Sequence, residues 1–238
     1  MRSLGVIHAR GGSKRIPRKN IKLLNGYPLI AYMVRASLAS QINRVIVSTD
    51  DSEIAEISKQ FGAEVPFMRP AELSEDVPSE QVTCHALEWA EANENSNYEV
   101  VVTLQPTTPF IEPSHINECL EKLLKDPKIV SCFTAVRVTE PPQWMFTIDD
   151  DTQIAKTFMD GDIAGERGVF QTLPPLYLPN GGAYATRVSA LREKNLIITN
   201  PTAIVPVSHE KSVDIDEPID WIIAESIGNL NGFKPLPI

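Results

Sequence analysis

Short apolar runs alternate with stretches of helical period along most of this chain, and that alternation limits the folds open to it. Residues 4–7, 44–48, 64–67, 98–104, 129–138, 182–186 and 203–207 read as strands. Residues 28–40, 51–61, 79–93, 113–125 and 217–227 carry apolar positions at helical spacing, and Gly62 closes the second of these as a C-cap. Strand–helix–strand–helix order implies parallel pairing with right-handed crossovers, hence an α/β sheet covered on both faces. The alternation fails over residues 139–179. There two proline pairs, Pro141-Pro142 and Pro174-Pro175, bracket the run Asp149-Asp150-Asp151. A structureless stretch of that length is usually a functional or interaction element.

The first strand runs into Ala9-Arg10-Gly11-Gly12-Ser13-Lys14-Arg15-Ile16-Pro17-Arg18-Lys19-Asn20. Two glycines let the backbone turn tightly and approach a ligand. Five cations, Arg10, Lys14, Arg15, Arg18 and Lys19, fall within ten residues. Charge of that density, with exposed N–H groups, suits a polyphosphate. Open α/β sheets bind ligands at the carboxyl ends of their strands, where this loop lies. Neither the P-loop spacing nor the dinucleotide pattern Gly-x-Gly-x-x-Gly is present, which argues against a dehydrogenase. Asp50 ends the second strand and reads first as a helix cap, with Glu53 three residues on.

The rest of the chain makes this loop a local exception. Its net charge is −9, so general nucleic-acid binding is not expected. Cys84, Cys119 and Cys132 are widely spaced and odd in number, as free thiols of a reducing cytoplasm would be. The four histidines show no metal-ligand spacing, and no run approaches the length of a membrane span. Arg2 is followed by too short an apolar run for a signal peptide.

Near the carboxyl end stands Asp214-Ile215-Asp216. Positions i and i+2 of an extended segment point the same way, so two carboxylates share one face. Hard cations take such oxygen ligands and share them with phosphates, which makes Asp214 and Asp216 candidate Mg²⁺ ligands. Taken by itself, Asp216 before Glu217-Pro218 also suits a helix N-cap.

The basic loop, Phe67-Met68-Arg69-Pro70, Leu104-Gln105-Pro106-Thr107-Thr108-Pro109-Phe110, Asn180-Gly181-Gly182-Ala183-Tyr184 and Val213-Asp214-Ile215-Asp216 occur in that order over nearly the whole chain. Together they resemble the acylneuraminate cytidylyltransferases, or CMP-sialic acid synthetases, whose relatives activate legionaminic and pseudaminic acids. The resemblance implies a single domain, residues 1–238, with a three-layer Rossmann-like nucleotide-diphospho-sugar transferase fold and a mostly parallel central sheet. It also implies that residues 139–179 are a dimerisation excursion of a cytoplasmic homodimer. The implied reaction joins CTP to a nonulosonic acid, a nine-carbon 2-keto sugar acid, giving the CMP-sugar and pyrophosphate with Mg²⁺. GTP with legionaminic acid and CTP with pseudaminic acid are alternatives. A nucleotide-sensing module without turnover is a more distant one, which the Asp214–Asp216 pair argues against.

The same resemblance assigns roles residue by residue. Arg10 and Lys19 contact the phosphates, with Ser13 and Asn20 as hydrogen-bond partners. Lys14, Arg15 and Arg18 fit either phosphate contacts or solvated charges. Gln105, with Thr107 beside it, faces the acyl sugar and the nucleotide. Arg69 and Ser79 contact the cytosine ring or the ribose. Asn180 and Tyr184 line the sugar end. Arg167 and Gln171 fall where the family shows Arg directly before Gln, but Phe170 holds that place here. Many sialic acid enzymes carry arginine just after the Gln105 motif, where this chain has Ile111. That difference counts against sialic acid itself.

Overall fold

In chain order the elements are β1 (Ser3–His8), a small hairpin of β2 (Leu23–Leu24) and β3 (Tyr27–Pro28), and α1 (Leu29–Leu38). Next come β4 (Arg44–Ser48), α2 (Ser52–Gln60), α3 (Ser79–Glu94), β5 (Val100–Leu104), α4 (Pro113–Lys125) and β6 (Ser131–Arg137). A second hairpin of β7 (Phe146–Ile148) and β8 (Ala155–Thr157) precedes β9 (Tyr177–Arg187), α5 (Val188–Lys194), β10 (Thr202–Val207) and α6 (Pro218–Asn231). The structure is a computed structural model, and it describes residues 1–94, 97–159 and 169–237.

Six strands form one sheet in the order β10-β6-β9-β5-β1-β4. β1 pairs parallel with both β4 and β5, and β10 pairs parallel with β6. β9 runs antiparallel to β5 and β6, so the sheet is mixed but mostly parallel, as expected. Alternation along the strands divides the core into two layers. Ile7, Val45, Val47, Val100, Val102 and Leu104 pack with residues of α1, α2 and α4. Leu4, Val6, Ile46 and Val101 pack with Ala86, Leu87 and Ala90 of α3 and with Val188 and Leu191 on the other face. A third cluster joins Ile16 of the basic loop to Phe110, Ile215 and Trp221, tying that loop to α6.

Pairing decides where a site can form. The chain leaves β1, places β4 on one side of it, then returns with β5 on the other. The crossovers part at the carboxyl end of β1, which opens a crevice there.

Several local expectations change. The strand expected at 64–67 is a single bridge between Glu64 and Ile46. Pro66 lacks the N–H that a longer ladder needs. The strand expected to start at residue 182 starts at Tyr177 and spans eleven residues. The 139–179 stretch holds the β7–β8 hairpin, whose exposed residues show no inward–outward pattern for periodicity to detect. α5 was not anticipated; at seven residues it is too short to show a helical period. Cys119 and Cys132 are buried and hydrogen-bonded to each other, and all three cysteines are free. Among the described residues no helix is long and apolar enough to cross a membrane.

Candidate active site

A cleft of about 460 Å³ lies at the crevice beside β1. That volume is typical of a small-molecule site. Its walls are the ends of β1 and β5, the basic loop, the segment after Arg69, the start of α3, and Asp216. Arg10, Ser13, Lys19, Asn20, Arg69, Ser79, Gln105, Thr107 and Asp216, expected from distant parts of the sequence, all line it.

The loop is held open by its own polar groups. Gly11 N–H donates to Asp50 Oδ1 at 2.8 Å. Asp50 is therefore an anchor of the loop, and the helix cap expected there is its neighbour. Asp51 caps α2 by accepting from Glu53 N–H and Ile54 N–H, each at 3.0 Å. A Cβ on Gly11 would come within 2.7 Å of Asp51 Oδ2, so the close approach requires glycine. Arg18 takes a left-handed conformation, φ 56°, and ion-pairs with Asp51 and Glu53. Its hydrogen bond holds the Asp51 carboxyl below the usual range. Arg18 thus fastens the loop to α2, whereas Lys14 and Arg15 line the cleft. Asn20 is 5% exposed and its amide donates to Arg10 C=O at 2.9 Å. It shapes the loop from beneath.

The cations at the cleft already have partners. Arg10 and Lys14 both pair with Asp76, at 2.5 and 2.7 Å, which draws the Asp76 pKa down to about 2. Lys19 Nζ donates to Ile215 C=O at 2.6 Å and to Asp216 Oδ1 at 3.1 Å. Arg15 reaches Glu217 at 3.2 Å.

Arg69 lies deeper, 7% exposed. Its guanidinium donates to Ser48 Oγ at 3.1 Å and to Ser48 C=O at 2.5 Å, at the end of β4. Burial, against the pull of Asp50 and with the push of Arg10, lowers its pKa to about 10, so it stays charged. Among the described residues Arg69 is within salt-bridge distance of no carboxylate. Next to it His8 is half-buried, its open side facing the cleft. Burial first, then the Arg69 charge, lowers its pKa to about 3 and keeps the imidazole neutral. Sequence reasoning passed over His8 and Asp76. The spacing of the four histidines speaks only to metal ligation, and one carboxylate in a polar loop gives no signal of its own.

Asp216 does not cap α6. Glu217 does, in a capping box with Asp220, whose Oδ2 accepts from Asp216 N–H at 2.9 Å and Glu217 N–H at 2.7 Å. Asp216 is left to face Lys19. Asp214 has an open edge but is hemmed in on its other sides, lying against Gly181 and accepting from the Thr107 hydroxyl. Crowding by protein raises its pKa, and the charges of Asp216 and Asp220 add to that. Among the described residues no group of three or more His, Cys, Asp or Glu is placed to hold a metal.

The remaining expected residues fall elsewhere. Asn180 is 4% exposed and knotted into the fold. It accepts from Thr134 Oγ1 at 2.7 Å and donates to Ser212 Oγ at 3.0 Å, so it orders the Gly181 turn instead of lining the cleft. Tyr184 stacks on Phe133 and senses the Asp214 charge, but it is outside the cleft wall. Gln171 is exposed on a short turn beside Phe170, away from the cleft, because Phe170 packs against Trp144 and Arg137. Arg167 lies outside the described residues. Ile111 is 3% exposed and packed against Gly182, where it fills core.

The sequence pattern of the family described as Cytidylyltransferase matches residues 4–222. The chain belongs to this family. It is a nucleotidyltransferase of the acylneuraminate cytidylyltransferase type. It is 34% identical over 233 residues to the CMP-N,N'-diacetyllegionaminic acid synthase of Legionella pneumophila, covering 97% of this chain and 98% of that one. It is 31% identical over 233 residues to the pseudaminic acid cytidylyltransferase of Campylobacter jejuni, with the same coverage. The N-acylneuraminate cytidylyltransferase of Escherichia coli is 31% identical over 228 residues, 94% of this chain and 51% of that one. In fold, the chain matches a CMP:2-keto-3-deoxy-manno-octonic acid synthetase complexed with CTP, at TM-score 0.68 and 19% identity, covering 97% of this chain and all of that one.

Proposed function

We propose that this cytidylyltransferase couples CTP to a nonulosonic acid. The anomeric hydroxyl of the sugar acid attacks the α-phosphorus, a new O–P bond forms, and the bond to pyrophosphate breaks. The names of the relatives support the substrate class but differ in the sugar, so the sugar is left at nonulosonic acid. One observation carries the reading. A strand-end cleft in an acidic chain has a buried arginine in its wall and four cations, Arg10, Lys14, Arg15 and Lys19, around it. Negative charge builds on the departing pyrophosphate, and fixed cations beside it lower the barrier.

In this reading Arg10 and Lys19 bind the phosphates, Ser13 adds a hydroxyl, and Asn20 holds the Arg10 carbonyl that sets the loop. Gln105 and Thr107 face both substrates, and Arg69 and Ser79 receive the nucleoside. Asp214 and Asp216 would hold Mg²⁺. The fit is reasonable: the Asp214 carboxyl, open on one edge, is disfavoured as an anion by the protein crowded around its other sides and by neighbouring acids, and a dication relieves both. Mg²⁺ is commonly held by one or two carboxylates plus phosphates, so a pair suffices. When bound, the metal would neutralise phosphate charge.

The excursion is assigned to a homodimer contact. Phe146, Ile148, Phe158 and Leu178 are each more than half exposed on it, and an apolar surface of that kind marks an interface.

The test is pyrophosphate release with CTP or GTP against a panel of nonulosonic acids. Release with CTP and at least one such acid supports the assignment. Release with GTP alone, or with none of the acids, overturns it.

A further inference from the structure

The cleft has two chemistries. Lys14 and Arg15 are largely exposed, with side chains 71% and 61% accessible. The deeper part is different: Arg69 and Val82 are buried, His8 is half-buried, Ser79 stands at the start of α3, and the segment after Arg69 adds Leu73 and Val77. Apolar walls with a few fixed polar groups suit a flat ring with a hydrogen-bonding edge, just as the exposed cations suit phosphates.

His8 is the polar group there without an assignment. Its Nε2 lies 3.1 Å from Thr83 Oγ1 on α3. That hydroxyl lies 2.9 Å from Thr103 Oγ1 on β5, and both threonines are buried. The ring is therefore tied to the sheet and to α3 through one nitrogen. Among the described residues Nδ1 has no hydrogen-bond partner, although the ring lies in the cleft wall. That nitrogen is open to the cleft, and a ligand that supplies its partner gains a hydrogen bond.

We propose that His8 is a specificity-determining residue that hydrogen-bonds the edge of the pyrimidine through Nδ1, and that Thr83 and Thr103 are positioning residues that hold its ring. The inference rests on the cleft being a CTP site. A neutral imidazole presents one donor and one acceptor, and which nitrogen carries the proton depends on the bond made by the other. Cytosine and uracil present opposite donor and acceptor patterns at ring positions 3 and 4. In a given tautomer Nδ1 offers one role only, so it matches the edge of one base and leaves polar groups of the other unpaired.

The experiment compares wild type, His8→Leu, His8→Asn, Thr83→Val and Thr83→Ser. It measures KM and kcat with CTP and UTP, pyrophosphate affinity by calorimetry, and melting temperature. His8→Leu is expected to raise the KM for CTP about three- to tenfold, the effect of one neutral hydrogen bond, with kcat little changed. The CTP preference over UTP narrows, and pyrophosphate affinity stays at the wild-type value. Thr83→Val moves in the same direction and Thr83→Ser restores the wild-type KM. If His8→Leu does not fold, His8→Asn and the Thr83 pair carry the same comparison. Wild-type KM for CTP in folded variants overturns the role of His8, as does a parallel fall in pyrophosphate affinity. A wild-type chain that binds pyrophosphate but no cytidine nucleotide overturns the reading of the cleft itself, and this proposal with it.

Discussion

The carboxylate of Asp76 sits 2.5 Å from the Arg10 guanidinium and also holds Lys14, at 2.7 Å. It therefore occupies the place that a phosphate oxygen takes in the proposed reaction. Its low pKa, near 2, keeps it charged at any pH where the enzyme works. The triphosphate must displace it. Exposed ion pairs are weak, so Asp76→Ala is expected to lower the KM for CTP only about two- to fivefold. Steady-state kinetics check this; an unchanged or higher KM shows that Asp76 does not compete.

Arg10 faces the opposite outcome. A charge-assisted phosphate contact contributes roughly 1.5–3 kcal/mol, so Arg10→Ala should lower kcat/KM about ten- to a hundredfold. Its melting temperature should hold, because its partner Asp76 is a surface carboxylate. Wild-type kinetics in this variant would remove Arg10 from the site.

Asp216→Asn separates metal binding from capping. Glu217 and Asp220 cap α6, so the variant should melt like wild type. Mg²⁺-dependent pyrophosphate release should nearly vanish, since a hard dication prefers carboxylate oxygen to amide. Normal turnover at limiting Mg²⁺ would move the ligands elsewhere.

His8 also predicts how stability depends on pH. In the folded chain its pKa is about 3; unfolded, it returns to about 6.5. Between these values the unfolded state binds the extra proton, so stability falls as pH drops below about 6.5. At about pH 5 the loss from this one group is roughly 1–2 kcal/mol, reduced somewhat by its cleft-facing surface. Thermal melts of wild type and His8→Asn between pH 7 and pH 4 check it: the variant should show a flatter dependence.

The excursion predicts oligomerisation. Light scattering at micromolar concentration should give twice the chain mass, and Phe158→Glu should halve it by placing a charge in an apolar contact. A wild-type mass of one chain defeats the assignment.

Much of the fold was legible because it is written in local patterns. Val45, Ile46 and Val47 mark a strand by composition alone, and Pro113 to Lys125 mark a helix by period. The short elements were not legible. α5 is too brief to show a period, and the solvated β7 and β8 show no alternation.

What the chain by itself determined is the α/β alternation, the placing of Gly11, Gly12 and five cations after the first strand, and the motifs that resemble one enzyme family. Tertiary structure alone decided how those cations divide: Arg18 to Asp51, Lys19 to Asp216, Arg10 and Lys14 to Asp76. It also turned Asn180 inward and brought His8 against Thr83 and Thr103. The reason is physical. Periodicity reports which face of an element is buried, a property of neighbours in sequence. A side chain's partner depends on which strands lie side by side, and here the pairing of β1 with β4 and β5 brings together residues tens of positions apart.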